Sequence, residues 1–347
     1  DKLPAGTLDL AAVQGMLNAL NGGKAEGPNA LLDARAMTEL KRDLKGELVG
    51  LGTMIDYDEA TGMARVDGLL PGSAAASAGV ERGDRILSVD GVGVRGRPLK
   101  EVVSAIRGGE GTSVKLALLR GSETVEKSIV RRRLTLTSVE HSNAAEVGVL
   151  TIRMFSERTP GELEAALKAL NAGGMKRLLI DLRGNGGGLF EKSLEAAELL
   201  LPRGAEIVRT MARGQKVTRH LSKREPLITP MPIVVIVDKT TASSAEVLAE
   251  ALRVSAGATL VGTRTFGKWR METLRPIADG YSLKFTIGLL QSPAGQGYDT
   301  VGLPPDVEVP GGAEPVEHTR RLVDINKRME TDPQLKAAVH ILRRLRA

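Results

Sequence analysis

The 347-residue chain contains no cysteine, which removes disulfide frameworks, thiolate metal sites and cysteine nucleophiles and leaves the redox compartment unread. Aromatic residues are nearly as scarce, with one Trp, three Tyr and four Phe. The core must be built from Leu, Val, Ile and Ala, and the shortage counts against gripping single-stranded nucleic acid by base stacking. Four histidines, His141, His220, His318 and His340, stand in no metal-ligand spacing, so neither a metal nor an organic cofactor is expected. No apolar run is long enough to span a bilayer, so no integral membrane segment is expected. The chain begins at Asp1 and not at Met, and is expected to be a mature or trimmed form with any signal peptide outside it.

What is present is ordinary for a soluble protein of two domains: 42% hydrophobic and 26% charged residues. The 48 basic and 42 acidic residues leave a formal charge of +6, with both signs interspersed. The densest basic clusters, Arg131-Arg132-Arg133 and Arg343-Arg344-Leu345-Arg346, read as solvated strand and helix ends and not as a nucleic-acid surface.

The chemistry gathers in residues 234–274. The apolar, β-branched run 233–237 reads as a buried strand, Asp238-Lys239-Thr240-Thr241 as a turn, and the residues from Glu246 onward as an amphipathic helix. Ser243 therefore falls where a strand hands over to a helix, close to unpaired N–H groups at the positive end of the helix dipole. Its simplest role there is an N-cap. A further short apolar segment, 259–261, leads to Thr265-Phe266-Gly267-Lys268-Trp269. Partial burial between Phe266 and Trp269 would disfavour the ammonium form of Lys268, and a neutral lysine can take a proton from serine.

The strand expected at 178–182 runs into Arg183-Gly184-Asn185-Gly186-Gly187-Gly188, whose backbone N–H groups could stabilise an oxyanion. A dinucleotide fingerprint fails there, because Leu189 stands where the third glycine belongs. Asp181 is expected to orient the loop through Arg183. A Ser-His-Asp triad would need a histidine beside Ser243; His220 is the alternative kept, against a plain surface role.

T-A-S-S-A-E at 241–246, T-F-G-K at 265–268, D-L-R-G-N-G-G-G at 181–188 and G-L-P-P-D at 302–306 resemble, in order and spacing, the carboxyl-terminal processing (tail-specific) proteases. That family joins a PDZ domain to a Ser/Lys peptidase core, and the resemblance covers nearly the whole chain. It implies Ser243, not Ser244, as nucleophile, Lys268 as base, and Gly187 or Gly188 with the Ser243 amide as oxyanion hole. The family usually reads G-K-G-x-V-Q, with the glutamine bonded to the lysine; here Glu272 stands in its place. The fold implied is α/β, a mostly parallel-sheet ClpP/crotonase-like core with a small β-rich PDZ domain and helical terminal segments.

The divisions expected are a helical segment at 1–45, the PDZ domain at 46–131, the peptidase core at 132–312 and a helical tail at 313–347. Helices are expected after Thr7, from a capping box at Thr159-Pro160-Gly161-Glu162, and over 190–201; 215–230 reads as a loop or hairpin over the site. Val49-Gly50-Leu51-Gly52 is the loop expected to hold a peptide carboxylate while the peptide adds as a strand. The resemblance implies protein or peptide substrates with free C-termini, an adaptor and a homo-oligomer as partners, and a periplasmic or cell-envelope location. A non-catalytic PDZ scaffold with a closed site is the rival reading, and acyl-CoA chemistry a remote third.

Overall fold

A computed structural model of the chain describes residues 7–25, 27–58, 61–212, 214–277, 280–313, 315–320 and 324–345. Arg346 and the residues before Thr7, with the side chain of Thr7, lie outside them. Two compact units are present, residues 46–136 and the remainder.

In the smaller unit the strands Thr53–Asp58, Met63–Leu69, Arg85–Val89, Ser113–Arg120 and Glu123–Val130 follow one another across an antiparallel sheet, with Val92–Gly93 on Arg85–Val89. Alternation places Val66, Ile86, Leu116 and Leu118 in a core closed by Val102 and Ile106 of the helix Leu99–Ile106. Thr53–Asp58 is an edge strand of this sheet. Glu47–Gly50 pairs instead with Arg132–Thr135. Arg131 is not a solvated strand end: it is buried, and its guanidinium donates to the carbonyls of Ile106 and Ser113.

The larger unit is built on a six-stranded sheet in the order Val139–Ala144, Val147–Ile152, Arg177–Asp181, Ile233–Val237, Thr259–Gly262 and Val307–Glu308. The first pair is antiparallel and the other four are parallel. Both faces are covered, which is why 233–237 is apolar at every position. Ile180, Val235 and Val237 pack with the helices Thr159–Ala172, Phe190–Glu198 and Ser244–Ala256; Leu179, Val234 and Ile236 pack with Leu335, Val339 and Leu342 of Pro333–Arg344. The C-terminal helix is thus a layer of the core and not an appended tail.

A second sheet, Ala30–Leu32, Ser282–Gln291, Glu206–Ala212 and Thr218–Leu221, with Arg270–Pro276 also on Ser282–Gln291, is antiparallel throughout. The unit as a whole is therefore a mixed α/β fold; parallel pairing dominates its central sheet alone. The segment 215–230 contributes a hairpin strand, Thr218–Leu221.

Two local expectations fail for tertiary reasons. Thr159 and Glu162 form no capping box: Thr159 Oγ1 accepts the Ser156 N–H, and Glu162 Oε2 accepts the N–H groups of Ser138 and Val139. The helix from Phe190 ends at Glu198 and not at 201, with Leu199 as its C-cap.

Candidate active site

Three loops leave the carboxyl ends of three adjacent parallel strands, Arg177–Asp181, Ile233–Val237 and Thr259–Gly262, the edge at which α/β sheets gather ligands. Each loop carries one part of the candidate site.

In the first loop Asn185 donates to the Ile152 carbonyl and accepts the Gly187 N–H, both at 2.9 Å. Gly187 has φ +101°, and a Cβ there would stand 2.8 Å from Ser243 Cβ. At Gly188 a Cβ would meet the Phe155 carbonyl oxygen at 2.1 Å. Only glycine permits these approaches. The Gly188 N–H has no acceptor among the described residues. The loop is anchored by Arg183, which is buried and binds Asp181 and Asp332 through paired contacts of 2.8–2.9 Å. Burial pushes the Asp181 carboxyl up, but Arg183 and Arg320 outweigh it and hold it far below the usual carboxylate range.

The second loop is tied to the first by the Ala242 N–H on the Asn185 carbonyl, 2.9 Å, and by Thr241 Oγ1 on the Leu182 carbonyl, 3.0 Å. Ser243 follows with φ 57° and ψ −122° and precedes the helix Ser244–Ala256. An ordinary N-cap sits in the extended region and needs no such conformation. A serine held at positive φ on a strand-to-helix turn is strained, and such strain gathers at functional sites.

The third loop meets the second at Glu246. This buried carboxylate accepts the Ser243 and Lys268 N–H groups on Oε2, at 2.8 and 2.9 Å, and the Gly267 N–H and Thr265 hydroxyl on Oε1. One side chain thus fixes the serine turn to the lysine loop, a role sequence reading missed, although its position three residues into the helix marks a capping acid. The Ser243 N–H, expected in the oxyanion hole, is spent on Glu246, and that of Gly187 on Asn185. Ser244, at the first helical position, has its N–H without an acceptor among the described residues, and its hydroxyl donates to the Gly188 carbonyl at 3.2 Å.

Lys268 Nζ donates to Glu272 Oε2 at 3.0 Å, and no hydrogen bond joins it to Ser243 among the described residues. Its side chain is 31% exposed. Trp269 is buried in the core against Tyr298 and does not line the cavity that Lys268 faces, and Phe266 is 64% exposed, so the shielding expected from both aromatics is not seen. Ser243, Lys268, Glu272 and Gly188 line one cavity of about 600 Å³, within the usual size of a ligand pocket. Phe190, Met271, Leu274 and Leu290 give it apolar walls, and Leu40 and Leu44 of the helix Ala34–Lys45 complete them. His220 does not line it; the ring bonds Thr210 Oγ1 at 3.1 Å and meets Phe190 edge-on, and burial pushes its imidazole below the usual value.

In the smaller unit Val49, Gly50, Leu51 and Gly52 line a separate cavity of about 190 Å³ with Ile55, Val103 and Ile106. It lies beside the edge strand Thr53–Asp58.

The profile of peptidase family S41 matches residues 146–309, and that of a PDZ domain residues 65–120. A protein of Staphylococcus haemolyticus named "Probable CtpA-like serine protease" is 31% identical over 313 residues, 89% of this chain and 61% of its own length. Its Staphylococcus aureus namesake is 31% identical over 304 residues, 87% and 60%. The chain thus spans about three fifths of the length of these relatives. The solved photosystem II D1 C-terminal processing protease is 29% identical with a TM-score of 0.56, over 86% of this chain and 81% of that one. A Bacteroides fragilis protein assigned to the S41 proteases shares the fold at 17% identity, TM-score 0.62, over 90% and 89%. The chain thus carries one region similar to the S41 peptidases and another similar to a PDZ domain. As a whole it is similar to the CtpA-like serine proteases and to a C-terminal processing protease.

Proposed function

We propose that this chain cleaves exported proteins near or from their C-termini through an acyl-enzyme on Ser243. The observation that carries the reading is the strained Ser243 turn facing the same cavity as Lys268. Ser243 Oγ attacks the scissile carbonyl while its proton passes to neutral Lys268 Nζ. Lys268 then delivers that proton to the leaving amine, and water attacks the acyl-enzyme in turn, freeing the new C-terminus and restoring the hydroxyl. The oxyanion is received by the amides of Gly188 and Ser244, neither of which has an acceptor among the described residues. Glu272 orients the lysine in place of the family's glutamine. The core that holds these groups is of the ClpP/crotonase type, a reading supported by the parallel strands that end at the site.

A substrate C-terminus is captured in the PDZ unit, its carboxylate on the amides of 49–52 and its backbone added to the edge strand Thr53–Asp58. Such a substrate fits an envelope or periplasmic setting. An adaptor and self-assembly belong to the same reading.

One observation favours the closed-site alternative: Lys268 Nζ is engaged by Glu272 and not by Ser243. Cleavage of an unfolded protein separates the two. Loss of all cleavage in both Ser243→Ala and Lys268→Ala, each still folded, supports the peptidase; a folded parent chain that never cleaves supports the scaffold.

A further inference from the structure

Across the ladder of Arg270–Pro276 and Ser282–Gln291, Glu272 lies opposite Thr286 and Leu274 opposite Lys284. Glu272 and Lys284 are therefore diagonal neighbours on one face, a spacing that long side chains bridge. Lys284 Nζ stands 3.9 Å from Glu272 Oε2, the same oxygen that accepts Lys268 at 3.0 Å. The other oxygen, Oε1, is buried without a hydrogen-bond partner among the described residues. All three side chains line the cavity. Among the described residues the other charged groups facing it are Glu191, from the helix Phe190–Glu198, and Arg270, which is held by both oxygens of Asp299.

The charge count decides whether a neutral lysine can persist here. With Lys268 neutral, Glu272 by itself would leave a negative charge unpaired among apolar walls, and a proton on Lys268 is the simplest repair. With Lys284 as an ammonium, the Glu272–Lys284 pair is already neutral. Lys268 can then release its proton without stranding the carboxylate, and the second cation also repels that proton directly.

We propose that Lys284 is a positioning residue for the candidate base, its ammonium holding Glu272 whenever Lys268 is neutral. The proposal rests on the reading of Lys268 as base. The cavity uses a carboxylate and a second lysine together as the neutral partner of the first.

The test follows the rate at which a fluorophosphonate modifies Ser243 in the full chain, read by intact mass from about pH 5 to pH 10. The rate rises with the fraction of neutral base, so the midpoint of the rise reports the proton balance of the cluster. Lys284→Met should move that midpoint up by about one pH unit, while Lys284→Arg, which keeps the charge, leaves it in place. Glu272→Gln should move it down, and Lys284→Met combined with Glu272→Gln should return it towards the parent position. An unmoved midpoint in folded Lys284→Met, or an equal displacement in Lys284→Arg, overturns the proposal. Should Lys284→Met fail to fold, an upward midpoint in Glu272→Gln or a displaced one in Lys284→Arg does the same. Failure of the underlying reading looks different: Ser243 would go unmodified, or the pH rise would persist in Lys268→Ala.

Discussion

Glu246 accepts the backbone N–H of Lys268 at 2.9 Å through the same carboxylate oxygen that accepts the N–H of Ser243. Neither of those contacts involves a reacting atom. The candidate nucleophile and base are held in register by a buried acid that binds their backbones as well as the Gly267 N–H and the Thr265 hydroxyl, and that arrangement makes the site sensitive to changes outside the chemistry.

Glu246→Gln replaces one acceptor oxygen by a donor facing N–H groups. It should destabilise the chain by about 2–4 kcal/mol and lower turnover well beyond the fraction unfolded. Urea unfolding, together with turnover corrected for folded fraction, measures both. A variant that is destabilised but fully active per folded molecule would show that the clamp serves folding alone.

Gly187→Ala would drive a methyl group into Ser243 Cβ, at 2.8 Å, and into the Ala242 carbonyl oxygen, at 2.9 Å, from a backbone at φ +101°. The serine turn must shift, and a displacement of about 1 Å at a reacting group costs on the order of a hundredfold in rate. Gly186→Ala, where a Cβ meets open space, is the control and should fold normally.

Much of this was legible in the chain and some was not. The run 233–237 announced a strand because both of its faces are covered, and Ser243 and Lys268 fall on the loops that such strands deliver to one edge. The strand Arg270–Pro276, which carries Glu272, was unreadable because all of its residues through Leu274 are half-buried and charged and apolar positions mix. Glu162 looked like a capping acid, yet the amides of Ser138 and Val139, at the start of the strand Val139–Ala144 and brought close only by the fold, take its carboxylate. Where the N–H groups of Ser243 and Gly187 go is likewise a tertiary fact. The C-terminal helix showed its apolar stripe, but not that the stripe closes one face of the central sheet.

Arg183→Met leaves Asp181 and Asp332 short of a buried partner and should cost about 3–5 kcal/mol near neutral pH. In the parent chain the depressed Asp181 contributes stability above the unfolded carboxylate range, and loses it as acid is added. In the variant, burial acts with less opposition, so its penalty is widest near pH 7 and narrows below about pH 4. Urea midpoints at the two pH values measure the difference. A penalty that grows with acid would contradict this sign.

A peptide ending in an apolar residue should bind the full chain more tightly as the free acid than as the amide, by about tenfold or more, since the amide lacks the charge that strengthens hydrogen bonds from 49–52. Titration by fluorescence anisotropy measures it. Equal affinities would remove the carboxylate from the recognition.

The central claim is that Ser243 is the nucleophile and Lys268 its base. It is tested most directly by mapping a fluorophosphonate adduct, by peptide mass spectrometry, on the parent chain and on Ser243→Ala, Ser244→Ala and Lys268→Ala. The account expects the adduct on Ser243, none in Ser243→Ala, unchanged labelling in Ser244→Ala, and labelling slowed about a hundredfold or more in Lys268→Ala. An adduct on Ser244, or labelling of Lys268→Ala at the parent rate, would contradict it.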